Sequence, residues 1–190
     1  LANPQAATVA DSAAGAQQVA AAVAADAPVA AVAVVAGATG LVGRAVLARL
    51  LAADPRTSSV FYSAVHSVGR RAPELPPTGA AASVPRLVFC QSDFKSPLQL
   101  PPVDDVFIAL GTTIAVAGSQ ASFRAVDFDA VLAVARAARA AGARRIGVVS
   151  ALGADASSKV FYNRVKGEME QAICQLGFET VVMARPSLLD

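Results

Sequence analysis

Tyr162-Asn-Arg-Val-Lys166 sets a phenol four residues ahead of an ammonium. On a helix, residues i and i+4 lie one above the other on the same face. A free tyrosine has a pKa near ~10 and is a poor acid–base group at neutral pH. A neighbouring cation favours the phenolate and lowers that value. A phenol so tuned can give a proton to a carbonyl oxygen, or take it back in the reverse direction. Ser150, at the end of a predicted strand, would orient the same oxygen.

A second constellation lies far upstream. Gly37-Ala-Thr-Gly40-Leu-Val-Gly43 follows an unbroken apolar run and precedes an amphipathic stretch. Strand, tight turn and helix are the context a dinucleotide fingerprint requires. Gly37 permits the sharp exit from the strand, Gly40 lets backbone approach a pyrophosphate, and Gly43 lets the helix pack on the sheet. The helix start at Leu41 and Val42 offers amides and a positive dipole end, and Thr39 adds a hydroxyl. No Gly-Lys-Ser/Thr follows, which rejects a P-loop. With a dinucleotide bound, Lys166 would also hold the nicotinamide ribose, and an oxidised ring would add a second positive charge near Tyr162.

At the end of the second strand, a fold that prefers NAD usually carries a carboxylate for the ribose hydroxyls. Here stand His66, Arg70 and Arg71, with no carboxylate before Glu74. A guanidinium pairs bidentately with a 2′-phosphate, so NADP(H) is expected in preference to NAD(H). Two solvated loop arginines are the plainer alternative.

These groups need a scaffold, and the pattern supplies one. Strands are predicted over 30–36, 59–65, 87–90, 106–110, 145–149 and 180–184. A helix is predicted over 41–53. A second, capped by Ser119, runs to about Ala141 with Phe123, Val126, Val131 and Val134 on its buried side. A third starts at Ser157 or Ser158, with Phe161, Val165, Met169, Ile173 and Leu176 as its core stripe. Apolar strands alternating with amphipathic helices predict an α/β fold: a Rossmann-type, doubly wound parallel sheet in three α/β/α layers. Residues 1–28 are Ala-rich and read as a mobile or loosely helical tail. Residues 29–190 form one NAD(P)-binding domain, expected to be cut short at its C-terminus. The proline-rich stretch 72–85 reads as a long loop where a helix normally crosses over.

Composition narrows the function further. A formal charge of +2 over 190 residues, without a basic stripe, argues against nucleic acid. One histidine leaves no His-rich metal site and makes a Ser-His-Asp hydrolase improbable. Residues 29–43 are too short and glycine-broken for a membrane span. The first basic residue is Arg44, so no secretory leader is expected, and two separated cysteines fit a reducing, cytoplasmic setting.

Together these motifs resemble the short-chain dehydrogenase/reductase superfamily, in particular its atypical, extended-like NAD(P)-binding branch. The resemblance spans Val32 to Leu189. It rests on the glycine loop, Ala109-Leu110-Gly111-Thr112-Thr113, Val126-Asp127, Val148-Val149-Ser150, Tyr162-x-x-x-Lys166 and Arg185-Pro186-Ser187. The span from Ser150 to Glu168 is similar to Tat-interacting-protein-like oxidoreductases and to bacterial epimerase-like proteins. The resemblance implies Ser150, Tyr162 and Lys166 as the catalytic trio. It further implies Asp93 and the Phe94 backbone at the adenine, and Leu110, Gly111 and Thr112 along the cofactor ribose. Asp127 stands where many members carry an asparagine. The activity implied is NAD(P)H-dependent reduction or oxidation of a small carbonyl or alcohol. A sugar-nucleotide epimerase and a cofactor-binding regulator without turnover are the alternatives. A homodimer through the two long helices is expected at family level only.

Overall fold

A computed structural model of the chain describes residues 29–52, 60–74 and 86–187. The N-terminal tail and most of the 72–85 loop expected from the sequence lie outside the described residues. Six strands form one parallel sheet: β1 (Val29–Ala36), β2 (Val60–Gly69), β3 (Arg86–Gln91), β4 (Asp105–Ile108), β5 (Arg145–Val149) and β6 (Thr180–Ala184). Their spatial order is β3-β2-β1-β4-β5-β6. Chain direction across the sheet reverses between β1 and β4, which opens a crevice at the carboxyl ends of these two strands. The glycine loop leaves β1 on one side of that crevice, and the segment from Ala109 leaves β4 on the other.

The continuous apolar run of β1 follows from burial on both faces. Val34 and Ala36 join one core and Ala31, Ala33 and Val35 the other. Helix α1 (Leu41–Leu51) sets Leu47 against Tyr62 and Val65 on the second face. The first face is covered by one helical rod and by α5 (Phe161–Cys174). The rod comprises α3 (Gln120–Arg124), a π-helical stretch (Ala125–Ala130) and α4 (Val131–Ala140). Val131, Val134, Met169 and Ile173 are fully buried there, each worth about 1.5–3 kcal/mol of apolar transfer. Helices on both faces give the expected doubly wound, three-layer architecture.

Several details depart from expectation. A one-turn helix, α2 (Ile114–Ala117), follows β4, with the Thr113 hydroxyl accepting from the Val116 amide at 3.1 Å. Helix α5 begins at Phe161 because Ser157 and Ser158 are engaged beforehand. Asp155 Oδ1 accepts from the Ser157 amide and hydroxyl, and Ser158 Oγ accepts from the Val160 amide. Most consequential is the π-helical stretch, where i→i+5 bonding adds a residue to the turn and re-aims the side chains after it. Val126, expected in the core, is only half-buried, and Asp127 is fully buried in its place.

On the α1 face, β6 is open: Val182 is 57% exposed beside an apolar hollow of about 390 Å³. The polar groups in that hollow satisfy one another. Asp105 accepts from the Tyr62 hydroxyl at 2.9 Å and from Arg145 Nε and Nη2 at 2.5 and 2.7 Å. This hollow lies away from the Tyr162–Lys166 helix, so its polar cluster is read as structural.

Candidate active site

The glycine loop is built by close approach. Gly37 has φ +87°, and a Cβ there would sit 2.4 Å from the Ala109 carbonyl oxygen. A Cβ on Gly43 would lie 2.0 Å from the Gly37 oxygen, which locks α1 onto the loop. Gly40 differs: its nearest neighbour is the Gly37 oxygen at 3.5 Å, so the space outside it is open. Gly40 is the N-cap of α1, no side chain caps the helix, and its first turn carries no acidic residue. The Leu41 and Val42 amides therefore face that space with the positive end of the helix dipole, a fit for a diphosphate. Thr39 is half-buried beside them.

Arg70 and Arg71 follow β2, both exposed, and among the described residues neither is in an ion pair. Arg70 lines a polar hollow of about 580 Å³ with Cys90, Ser92, Asp93 and Ser96. Asp93 closes an Asx turn in which Oδ1 accepts from the Lys95 amide at 3.0 Å. That amide, with the Ser96 amide and the Lys95 charge, holds its carboxyl below the usual range against a small effect of burial. Phe94 has φ 62°, a left-handed backbone rare outside glycine, and packs against the main core. His66 Nδ1 lies 3.8 Å from Cys90 Sγ on the same side of the sheet, and burial pushes the Cys90 thiol up.

The phenol and the ammonium share one face of α5, as their spacing requires. Lys166 Nζ stands 2.7 Å from Asp127 Oδ1, with the two side chains 4% and 1% exposed. The contact is an ion pair off the line of an aligned hydrogen bond. Asp127 Oδ2 accepts from the Thr112 amide at 2.9 Å. Gly111 closes over the pair: a Cβ there would fall 3.4 Å from Asp127 Oδ1 and 3.8 Å from Lys166 Nζ. The Tyr162 ring is tilted against Phe123, centroids 5.3 Å apart.

The electrostatics reverse one expectation. Burial, and after it the Asp127 carboxylate, push the Tyr162 phenol above its ordinary value rather than below it. The ammonium that would have lowered it is already matched by Asp127. Burial also raises the Asp127 carboxyl, against the opposing pull of Lys166 and the Thr112 amide.

Ser150 follows β5 on the face that α5 covers. Its hydroxyl is buried, makes no well-formed hydrogen bond, and lies toward Glu170. Glu170 is gripped by Arg185, Nε to Oε1 at 2.9 Å and Nη2 to Oε2 at 2.5 Å. Burial raises the Glu170 carboxyl, but Arg185, Ser150 and Lys166 together hold it below the usual range. Sequence reasoning missed three parts of this site: Glu170, the Asp127 pairing and Gly167. Tyr162, Lys166 and Glu170 repeat at i, i+4 and i+8, a signal readable in advance. Gly167 lets α5 lie on the preceding loop, where a Cβ would meet the Ala156 amide nitrogen at 2.1 Å.

These contacts form one continuous path. The glycine loop touches Ala109, the same segment continues through Leu110 to Gly111, and Gly111 covers Lys166 and Asp127 below Tyr162.

The comparisons agree with this architecture. No protein-family model matches the chain. It is 37% identical over 156 residues to "Protein fmp52, mitochondrial" of Emericella nidulans, covering 80% of this chain and 64% of that protein. It is 39% identical over 154 residues to the protein of the same name in Eremothecium gossypii, with the same coverage. The chain thus spans less than two thirds of the length of these relatives. Among solved structures it is similar to MoeE5 in complex with UDP-glucose and NAD, with TM-score 0.59 and 20% identity over 82% of this chain and 53% of that one. The nucleoside-diphosphate-sugar epimerase from Agrobacterium tumefaciens gives TM-score 0.63 and 16% identity over 82% and 52%. A short chain dehydrogenase family protein from Francisella tularensis gives 0.59 and 15% over 85% and 71%. The fold is that of these Rossmann-type proteins. The relatives overturn one expectation: they are named mitochondrial, so the cytoplasmic location read from composition is withdrawn. Two separated cysteines do not by themselves say which compartment holds the chain.

Proposed function

We propose that this chain is the NAD(P)-binding, catalytic portion of an oxidoreductase of the short-chain dehydrogenase/reductase type. Tyr162 exchanges a proton with the oxygen of a small carbonyl or alcohol substrate. The observation that supports this reading is an open, uncapped glycine loop whose neighbouring segment Ala109–Gly111 runs on to Lys166, one helical turn from Tyr162. The Leu41 and Val42 amides would hold the diphosphate, Leu110–Thr112 the nicotinamide-side ribose, and Asp93 with the Phe94 backbone the adenosine. Arg70, exposed in the polar hollow, favours a 2′-phosphate and hence NADP(H). When bound, that cofactor supplies or accepts a hydride. Tyr162 contributes the proton, Lys166 fixes the ribose, and Phe123 holds the phenol ring. Two relatives' worth of mitochondrial names support a mitochondrial setting for this chain.

The burial of Ser150 favours a second reading, a cofactor-binding protein without turnover. Titration with NADPH and NADH, followed by a panel of aldehydes, ketones and quinones, separates the two. Saturable binding with turnover that falls at least a hundredfold in Tyr162→Phe is the expected result for the enzyme. Binding without turnover supports the second reading, and absence of binding refutes both.

A further inference from the structure

Asp127 is a buried carboxylate that the chemistry above does not use. It lies in the π-helical stretch, on the inward face with Phe123, and it meets three groups there: the Lys166 ammonium, the Thr112 amide and the underside of Gly111. Fully buried carboxylates are rare unless paired, and Asp127 is paired with the one cation that neighbours Tyr162 on its own helix face.

The other charged groups around the phenol are engaged elsewhere. On α5, Glu170 is held by Arg185, which follows β6. Glu168 pairs with Arg124 of α3. Arg164 donates to the Ser158 carbonyl oxygen at 2.9 Å and lies over the Phe161 ring. What acts on the Tyr162 phenol is burial and, after it, Asp127. An asparagine at this position would leave the ammonium unmatched; the aspartate cancels it.

We propose that Asp127 is a positioning residue that clamps Lys166 beneath Gly111 and neutralises its charge, so that the ammonium is withheld from the Tyr162 phenol. The inference rests on the oxidoreductase reading. In reduction the Tyr162 O–H bond would break and its proton pass to the substrate oxygen, solvent returning a proton to the phenolate; the bound cofactor would supply the hydride.

The composition makes the test direct. The chain has two tyrosines and no tryptophan, and Tyr62 is held far up by burial and by Asp105, to which its hydroxyl donates. Near-ultraviolet absorbance of tyrosinate in the whole chain therefore reports Tyr162 first as pH rises. The wild type is expected to show no tyrosinate below the ordinary phenol value of ~10. In Asp127→Asn, with folding checked by circular dichroism, one tyrosine is expected to ionise about one pH unit lower, and Tyr162→Phe in that background removes the step. An unchanged titration in folded Asp127→Asn overturns the inference, as does a wild-type step below ~10 that Tyr162→Phe abolishes. The wild-type measurement decides alone if Asp127→Asn fails to fold. NADPH binding, measured separately by its fluorescence, tests the oxidoreductase reading. Its loss would sink that reading while leaving the tyrosinate result intact, and the converse outcome sinks only the role of Asp127.

Discussion

Gly40 and Gly43 are three residues apart in one loop, yet replacing each by alanine is expected to break different things. In Gly43→Ala the new Cβ meets the Gly37 carbonyl oxygen at 2.0 Å and the Ala38 Cα at 3.0 Å. Both obstacles are backbone, so no rotamer change relieves them, and α1 must move off the loop. Overpacking of this kind costs roughly 1–3 kcal/mol or more, against a gain of about 1 kcal/mol from replacing a helical glycine. The net loss is up to roughly 2 kcal/mol, which lowers Tm by up to roughly 8 °C for a chain of this size. In Gly40→Ala the nearest atom is 3.5 Å away and φ is −82°, so the fold accepts the methyl group. The loss there is about 1 kcal/mol, since alanine is a poorer N-cap than glycine. The methyl group instead fills the space above the Leu41 and Val42 amides. Thermal unfolding and NADPH fluorescence titration of both variants separate the effects. Gly40→Ala should bind NADPH at least tenfold more weakly while losing little stability, and Gly43→Ala should lose both. Wild-type binding by folded Gly40→Ala would refute the diphosphate assignment.

Asp105→Ala strands the Tyr62 hydroxyl and the Arg145 guanidinium; since Arg145 is nearly half exposed, the expected cost is about 2–4 kcal/mol, read by urea unfolding. Arg70→Ala is expected to weaken NADPH binding about tenfold relative to NADH, and equal losses for both cofactors would remove Arg70 from the 2′-phosphate. Glu170 gives a pH signature. Its folded value lies below the ordinary 4.5, so the stability it contributes is present above that pH and is lost as pH falls through the folded value. Glu170→Gln should therefore flatten the acid limb of a Tm–pH curve, and an unaltered limb would show that the Arg185 bridge contributes nothing.

The parallel sheet and the glycine loop were legible in the sequence because each depends on local pattern; the strand order came from the structure. The apolar run of β1 has to be buried on both faces, and Gly37 and Gly43 sit where a Cβ would strike backbone. The Tyr162–Lys166 face followed from helical spacing alone. What escaped was anything that changes register or depends on distant charge. Helical spacing from Phe123 admits both Val126 and Asp127 to the inward face, and hydrophobicity favours Val126; the structure buries Asp127 and leaves Val126 half-buried. The expected tuning of Tyr162 was reversed first by burial and then by a carboxylate from another helix, neither of which spacing along α5 reveals. Ser150 shows the same limit: the strand end was correctly located, but strand alternation carries its hydroxyl to the α5 side, toward Glu170. The capping turn at Thr113 was readable in hindsight, as a threonine accepting from the amide three residues on.

The central claim is that one crevice joins the glycine loop to the phenol of α5. A crystal structure of the whole chain grown with NADP⁺ tests it most directly. The account predicts the diphosphate on the Leu41 and Val42 amides, the 2′-phosphate toward Arg70, and the nicotinamide ring within hydrogen-bonding reach of the Tyr162–Lys166 face. A nucleotide bound outside that crevice, or one lying in it with its ring turned away from Tyr162, would contradict it.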